Sequence, residues 1–169
     1  MLLGRHYTNV EISKWELLPC EHYTRAGYDP CGAYFFKGEK QSLEKYLETC
    51  KEYTYVGAVS FKNPLNLDQI SEAEMCRLLT DFTRRTGLPI YERYIKFFKK
   101  YPSDSLLDHR RKFWAIIRGR ISNSGQFKSL LQDFGYDGVI NVGSEAYIYP
   151  NEKQFVTFDI SKITWLYRI

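Results

Sequence analysis

The chain has 169 residues, 44% hydrophobic and 26% charged, with a formal charge of +4. That length fits one domain, and that balance of apolar and charged residues excludes a disordered or fibrous chain. No apolar run approaches the roughly 20 residues that cross a bilayer, and no basic stretch leads into an apolar one at the start, so the expected compartment is the cytoplasm.

Met1 to His6 reads as an opening strand. The turn signal Asp29-Pro30 precedes a short aromatic strand, Ala33 to Phe36, and Ser42 to Cys50 reads as a helix. Tyr53 to Phe61 resumes β character until Asn63-Pro64, where proline disfavours helix before it and cannot donate to a ladder. The middle third is helical. Ser71 with Glu74 matches a capping box, and Leu78, Leu79 and Phe82 keep helical spacing up to Gly87. Pro89 can begin the next helix, in which Tyr91, Tyr94, Ile95 and Phe98 recur at i, i+3, i+4 and i+7. Ser103 to Ile121 repeats the pattern with Leu107, Arg111, Trp114 and Ile117. Gln126 to Phe134 reads as a short helix closed by Gly135. Four strand candidates follow: Asp137 to Val142, Glu145 to Tyr149, Gln154 to Phe158 and Thr164 to Arg168. Strands at both ends with helices between them predict an α+β domain whose sheet brings the first third of the chain against the last.

The cysteines, Cys20, Cys31, Cys50 and Cys76, show no closely spaced pair and are expected to be reduced thiols. His6, His22 and His109 never approach the spacings that share a metal ion, so no metal site is expected. Between Arg84 and Arg120 eleven Lys or Arg face only Glu92, Asp104 and Asp108, although the whole chain is just +4. The basic character is regional and implies one positive face. Arg110, Arg111, Lys112, Arg118 and Arg120, interleaved with Phe113 and Trp114, are candidate contacts to a phosphate backbone or an acidic protein surface.

Three short segments carry chemistry in a familiar order. They are Gly4-Arg5-His6-Tyr7-Thr8, Gly32-Ala33-Tyr34-Phe35-Phe36 followed by Tyr46, and Glu152-Lys153-Gln154 opening an x-F-V-x-F-D strand. In that order they resemble the His-Tyr-Glu branch of the ADP-ribosyltransferase superfamily, the branch of diphtheria-like toxins and of the catalytic domains of poly(ADP-ribose) polymerases. Tyr55 to Leu67, Leu130 to Ile140 and Gln154 to Ile163 are similar to segments of phage and bacterial domains of the wider family. The resemblance covers residues 1–67 and 126–169, and residues 71–121 read as a helical insert within a single domain.

The resemblance implies a split β-sheet core and a mono-ADP-ribosyltransferase of phage or bacterial-effector type, active in the cytoplasm of the producing or an infected cell. It would take ADP-ribose from NAD to a protein target, or to nucleic acid. His6 matches the histidine that holds the ribose hydroxyls, and Tyr34 and Tyr46 the aromatic pair that sandwiches nicotinamide. Thr8 and Ser42 match lesser contacts to the nicotinamide amide, while Tyr7 stands where the family commonly has the glycine whose backbone touches it. The family's catalytic Glu aligns with Gln154, which can accept a hydrogen bond but carries no charge. Glu152, two residues earlier on the same strand, is the candidate for the missing anion, with Glu145 and Asp159 weaker substitutes. The alternatives are an inactive transferase fold that binds a partner through its basic helices, and an NAD glycohydrolase.

Overall fold

The computed structural model describes residues 1–9, 11–12, 29–40, 42–142 and 153–169. Its strands are β1 (Leu2–Thr8), β2 (Ala33–Phe36), β3 (Tyr53–Val59), β4 (Pro64–Asn66), β5 (Gly138–Val142), β6 (Gln154–Thr157) and β7 (Ile163–Arg168). They form one seven-stranded sheet in the order β4-β5-β6-β2-β1-β3-β7. Only β4 and β5 run parallel; every other neighbouring pair is antiparallel. The expected split core is thus a single continuous ladder. Its late strands do join the early ones, β6 entering between β5 and β2 and β7 docking on β3. With five helices beside the mixed sheet, the fold is α+β. The strand expected over Glu145 to Tyr149 lies outside the described residues.

The helices are α1 (Ser42–Cys50), α2 (Glu72–Thr86), α3 (Ile90–Lys100), α4 (Leu106–Arg118) and α5 (Ser124–Asp133). Their ends follow local chemistry. The Ser71 hydroxyl accepts the Glu74 N–H at 3.2 Å, and Gly87 closes α2 with φ of 69°, a left-handed conformation suited to glycine. Only half of the capping box forms, because the Glu74 carboxylate accepts the Tyr136 hydroxyl instead of turning back to Ser71. Helix α4 starts later than Ser103, since Ser103 Oγ donates to Asp108 at 2.7 Å and leaves Ser105 as the cap. Helix α5 starts earlier than Gln126 because Asn123 caps it.

Sheet register assigns side chains to two faces. Tyr34, Phe36, Val139, Val142, Gln154 and Val156 lie on the first, together with Arg5 and Tyr7 of β1. Helices α2 to α5 cover much of this face: Leu78, Leu79, Phe82, Ile90, Phe113, Trp114 and Phe127 form one buried cluster with Leu65, Val139 and Val156. Residues 71–121 therefore share their core with the sheet. The second face carries Ala33, Phe35, Val59 and Phe155 as a separate small cluster, flanked by Leu2, Phe61, Ile140, Ile163 and Trp165. No described helical residue joins that cluster. Gly4 belongs to this face, where a Cβ would stand 2.7 Å from Phe35 Cβ.

One cysteine departs from expectation. Cys31 is disulfide-bonded, whereas Cys50 and Cys76 are free thiols. Spacing along the sequence could not show this, because a disulfide depends on where the chain returns in space. Among the described residues no helix is long and apolar enough to cross a membrane.

Candidate functional site

The three motif strands are neighbours, β6-β2-β1, so residues from both ends of the chain meet. Gln154 opens β6 in register with Phe36, and Phe36 is in register with Arg5. This row, with Tyr34 and Tyr7 one step along, is the candidate site. Glu152 and Glu145 lie outside the described residues. Asp159 has a structural place: its carboxylate accepts the Ser161 N–H at 2.9 Å and caps the short helical turn Ile160–Lys162, which holds its pKa below the ordinary carboxylate value.

Sheet alternation separates the other expected partners. His6 points to the opposite face from Tyr34 and Gln154, where its ring lies 5.6 Å from Phe35 and 6.4 Å from Trp165. Its Nδ1–H donates to the Tyr34 carbonyl at 2.8 Å, because a carbonyl only accepts. Burial pushes the imidazole below its ordinary pKa, with that hydrogen bond pulling the other way. Thr8 sits on the same face as His6, paired with Tyr53 across the ladder.

The two tyrosines expected to sandwich nicotinamide sit in different surroundings. Tyr34 packs beside the helical core and its hydroxyl donates to Pro30 O at 2.6 Å. Tyr46 is 63% exposed on α1, two residues from the fully buried Glu44 and so on the other side of that helix. Ser42 begins α1, where the expected helix begins.

The structure adds residues that the motifs did not single out. Glu44 is buried in the first turn of α1, where Arg5 grips it through two contacts, Nε to Oε1 at 2.6 Å and Nη2 to Oε2 at 3.0 Å. Tyr7 donates its hydroxyl to the same carboxylate at 3.0 Å, and the Arg5 guanidinium also reaches Gly38 O at 2.8 Å. Burial first, then Glu44, holds the Tyr7 phenol well above its ordinary pKa, while the hydrogen bond to Glu44 raises Arg5. The Arg5 charge is thus balanced inside the fold, and Tyr7 acts through its side chain as a third support for Glu44.

Cationic groups nearby are less committed. The Lys37 N–H donates to Lys153 O at 3.0 Å, a backbone bond that carries the β2–β6 ladder one step past Phe36 and Gln154. Burial, then the charge of Lys153, lowers the Lys37 pKa, and Lys153 meets Asp68 at 3.6 Å. Beyond Gln154, β5 bulges at Asn141, a residue with φ of 63° whose amide donates to Asn66 Oδ1 at 2.8 Å. Asparagine tolerates that conformation better than most side chains, and strained bulges cluster at the margins of sites. Two lysines that feel each other's charge, an uncharged acceptor on the residue next to one of them and a bulge in the neighbouring strand suit an anionic, hydroxyl-bearing ligand. A Lys in each of two segments flanking a motif was a visible signal; a buried Glu in a helix was not.

Arg118 and Arg110, two of the five expected docking cations, are tied into the fold. Arg118 pairs with Asp29, Nε to Oδ1 at 2.5 Å and Nη2 to Oδ2 at 2.6 Å, and Arg110 Nε donates to Ile70 O at 2.9 Å. Arg111 is exposed, and Lys112 and Arg120 line the cleft between α3 and α4.

No protein-family model matches the chain, and no curated protein or solved structure is significantly similar to it.

Proposed function

We propose that the chain is a mono-ADP-ribosyltransferase that uses NAD and modifies a protein or nucleic-acid target. The observation that carries this reading is the adjacency of β1, β2 and β6, which brings the three motif segments into neighbouring strands although about 145 residues of chain separate the first from the last. In the reaction the bond between ribose C1′ and nicotinamide breaks, nicotinamide leaves with the bonding electrons, and an acceptor bonds to C1′ and gives up its proton. In this reading Lys37 and Lys153 meet the diphosphate and the Gln154 amide oxygen accepts from a ribose hydroxyl. A neutral acceptor contributes about 0.5 to 1.5 kcal/mol where a charged one contributes about 1.5 to 3, so Gln154 alone makes a slow enzyme.

Labelled NAD incubated with the protein and host lysate tests the proposal. Transfer of label to a macromolecule with nicotinamide release is the expected result, and the absence of both at high protein concentration overturns it. ADP-ribose released without labelled macromolecule would instead mark a glycohydrolase.

A second reading, an inactive transferase fold that binds a partner, is favoured by His6 lying on the opposite face of the sheet from Gln154. It requires that NAD not protect the fold. A working site at 100 times its Kd would gain about 2.7 kcal/mol, readable as a rise in melting temperature.

A further inference from the structure

On α3, Arg93, Lys96, Phe97, Lys100 and Tyr101 fall at i, i+3, i+4, i+7 and i+8, one face of the helix. That face opens onto α4 at Lys112, Ala115, Ile116 and Gly119, which repeat the same spacing from the other wall. Because Ala115 and Gly119 are small, the helices leave a cleft of about 600 Å³ between them, with Arg120 at one end. That is room for a nucleotide-sized group and not merely an ion.

The charges in this cleft are one-sided. Five of its lining residues are Lys or Arg, and Glu92 is the only acid. None of the five forms an ion pair among the described residues, unlike Arg84, Arg85 and Arg118 nearby, which pair with Asp81, Asp133 and Asp29. Lys96 and Lys100, at i and i+4, repel each other. A polyanion in the cleft would relieve that repulsion.

The aromatic groups distinguish among polyanions. Lys112 Nζ sits 3.7 Å over the Phe97 ring, and Phe97 in turn lies 5.1 Å from the Tyr101 ring. Tyr101 is 52% exposed at the mouth of the cleft, and Lys100 Nζ lies 5.1 Å over its ring. An acidic peptide would draw Lys100 off the ring and put nothing in its place. An unpaired base would take its place and stack there while its phosphate meets the freed ammonium. We propose that the α3–α4 cleft binds single-stranded nucleic acid, its phosphates on Arg93, Lys96, Lys100, Lys112 and Arg120 and a base on Tyr101. The proposal is independent of NAD chemistry and stands whether or not the chain is a transferase.

The test is fluorescence anisotropy of labelled single-stranded RNA and DNA 12-mers, with a duplex and polyglutamate as competitors. Binding tighter than about 100 µM at low salt is expected, weakening steeply as salt rises. Lys96→Glu/Lys100→Glu, with Lys96→Gln/Lys100→Gln as the milder pair, should weaken binding about tenfold or more and flatten the salt dependence. Tyr101→Ala should weaken it about fivefold or more and leave the salt slope unchanged. Lys62→Glu, an exposed lysine outside the cleft, should change little. The proposal is overturned by no binding, by variants that bind like the wild type while melting normally, by preference for the duplex, or by polyglutamate competing as well as the single strand.

Discussion

The two faces of the sheet are built differently. One is covered by α2 to α5 through a broad cluster in which Phe82, Trp114 and Phe127 are almost wholly buried, with Arg5, Tyr7 and Glu44 locked together beside it. The other carries an aromatic layer of His6, Phe35, Tyr55, Phe155 and Trp165, whose rings meet edge-on, tilted or stacked at 5.2 to 6.4 Å. Breadth of apolar burial supports the first face. Close fit, tightened by Gly4 and Gly57, supports the second, where a Cβ on Gly57 would stand 3.0 Å from Phe35. The first face should therefore fail when volume is removed, and the second when volume is added.

The largest effect expected is on the first face. Phe82→Ala leaves a cavity among fully buried neighbours and should cost about 3 to 5 kcal/mol in urea unfolding. A loss under about 1.5 kcal/mol, the range of a tolerated swap, would mean that the helices are not the main support. Glu44→Gln comes next, at about 2 to 3 kcal/mol, less than a wholly buried pair because the Arg5 side chain keeps 18% of its exposure. The double change Arg5→Met/Glu44→Leu should recover most of that loss, since it removes both charges. On the second face Gly4→Ala forces its new methyl to 2.7 Å from Phe35 Cβ. Overpacking of that kind costs about 1 to 3 kcal/mol, and a neutral result would show the aromatic layer to be looser than its contacts indicate.

The smallest effect is a pH dependence from His6. Its folded pKa lies below the ordinary value, so the unfolded chain takes up the proton first as pH falls. The contribution is whole above about pH 6.5 and is lost as pH falls from there toward the lower folded value. His6→Asn keeps a donor for the Tyr34 carbonyl and cannot titrate, so urea midpoints measured down this range should fall less steeply in the variant than in the wild type.

Much of the element order was legible because the signals are local. Ser71 and Gly87 bracket α2 by cap chemistry that needs nothing beyond one turn of helix, and Asp29-Pro30 sets off β2 in the same way. Asn63-Pro64 was legible only as a stop. Pro64 instead opens β4, which is tolerated because among the described residues β4 is an edge strand, paired with β5 alone. That the first and last thirds of the chain share a sheet followed from strands at both ends, but which strands neighbour and which residues face one another did not. Alternation within one strand fixes relative direction, and only pairing across the sheet put His6 opposite Gln154.

Burial of Glu44 was illegible for a related reason. A carboxylate in a first helical turn reads as solvated, and its partners Arg5 and Tyr7 lie 39 and 37 positions away. The basic run at Arg110-Arg111-Lys112 was visible but misleading, because successive helical residues point about 100° apart. Helical winding sends Arg110 to the Ile70 carbonyl and Lys112 to the cleft, while the matching cations arrive from α3.

Strands β1 and β7 flank β3 on either side and are antiparallel to it, so they point the same way, with Leu2 level with Val59 and Ile163 and with Tyr55 level with both His6 and Arg168. Tension applied between the two chain ends would therefore run along these ladders rather than across them. Their rungs would be loaded together in shear, and the sheet should resist stretching far better than a hairpin pulled open one hydrogen bond at a time.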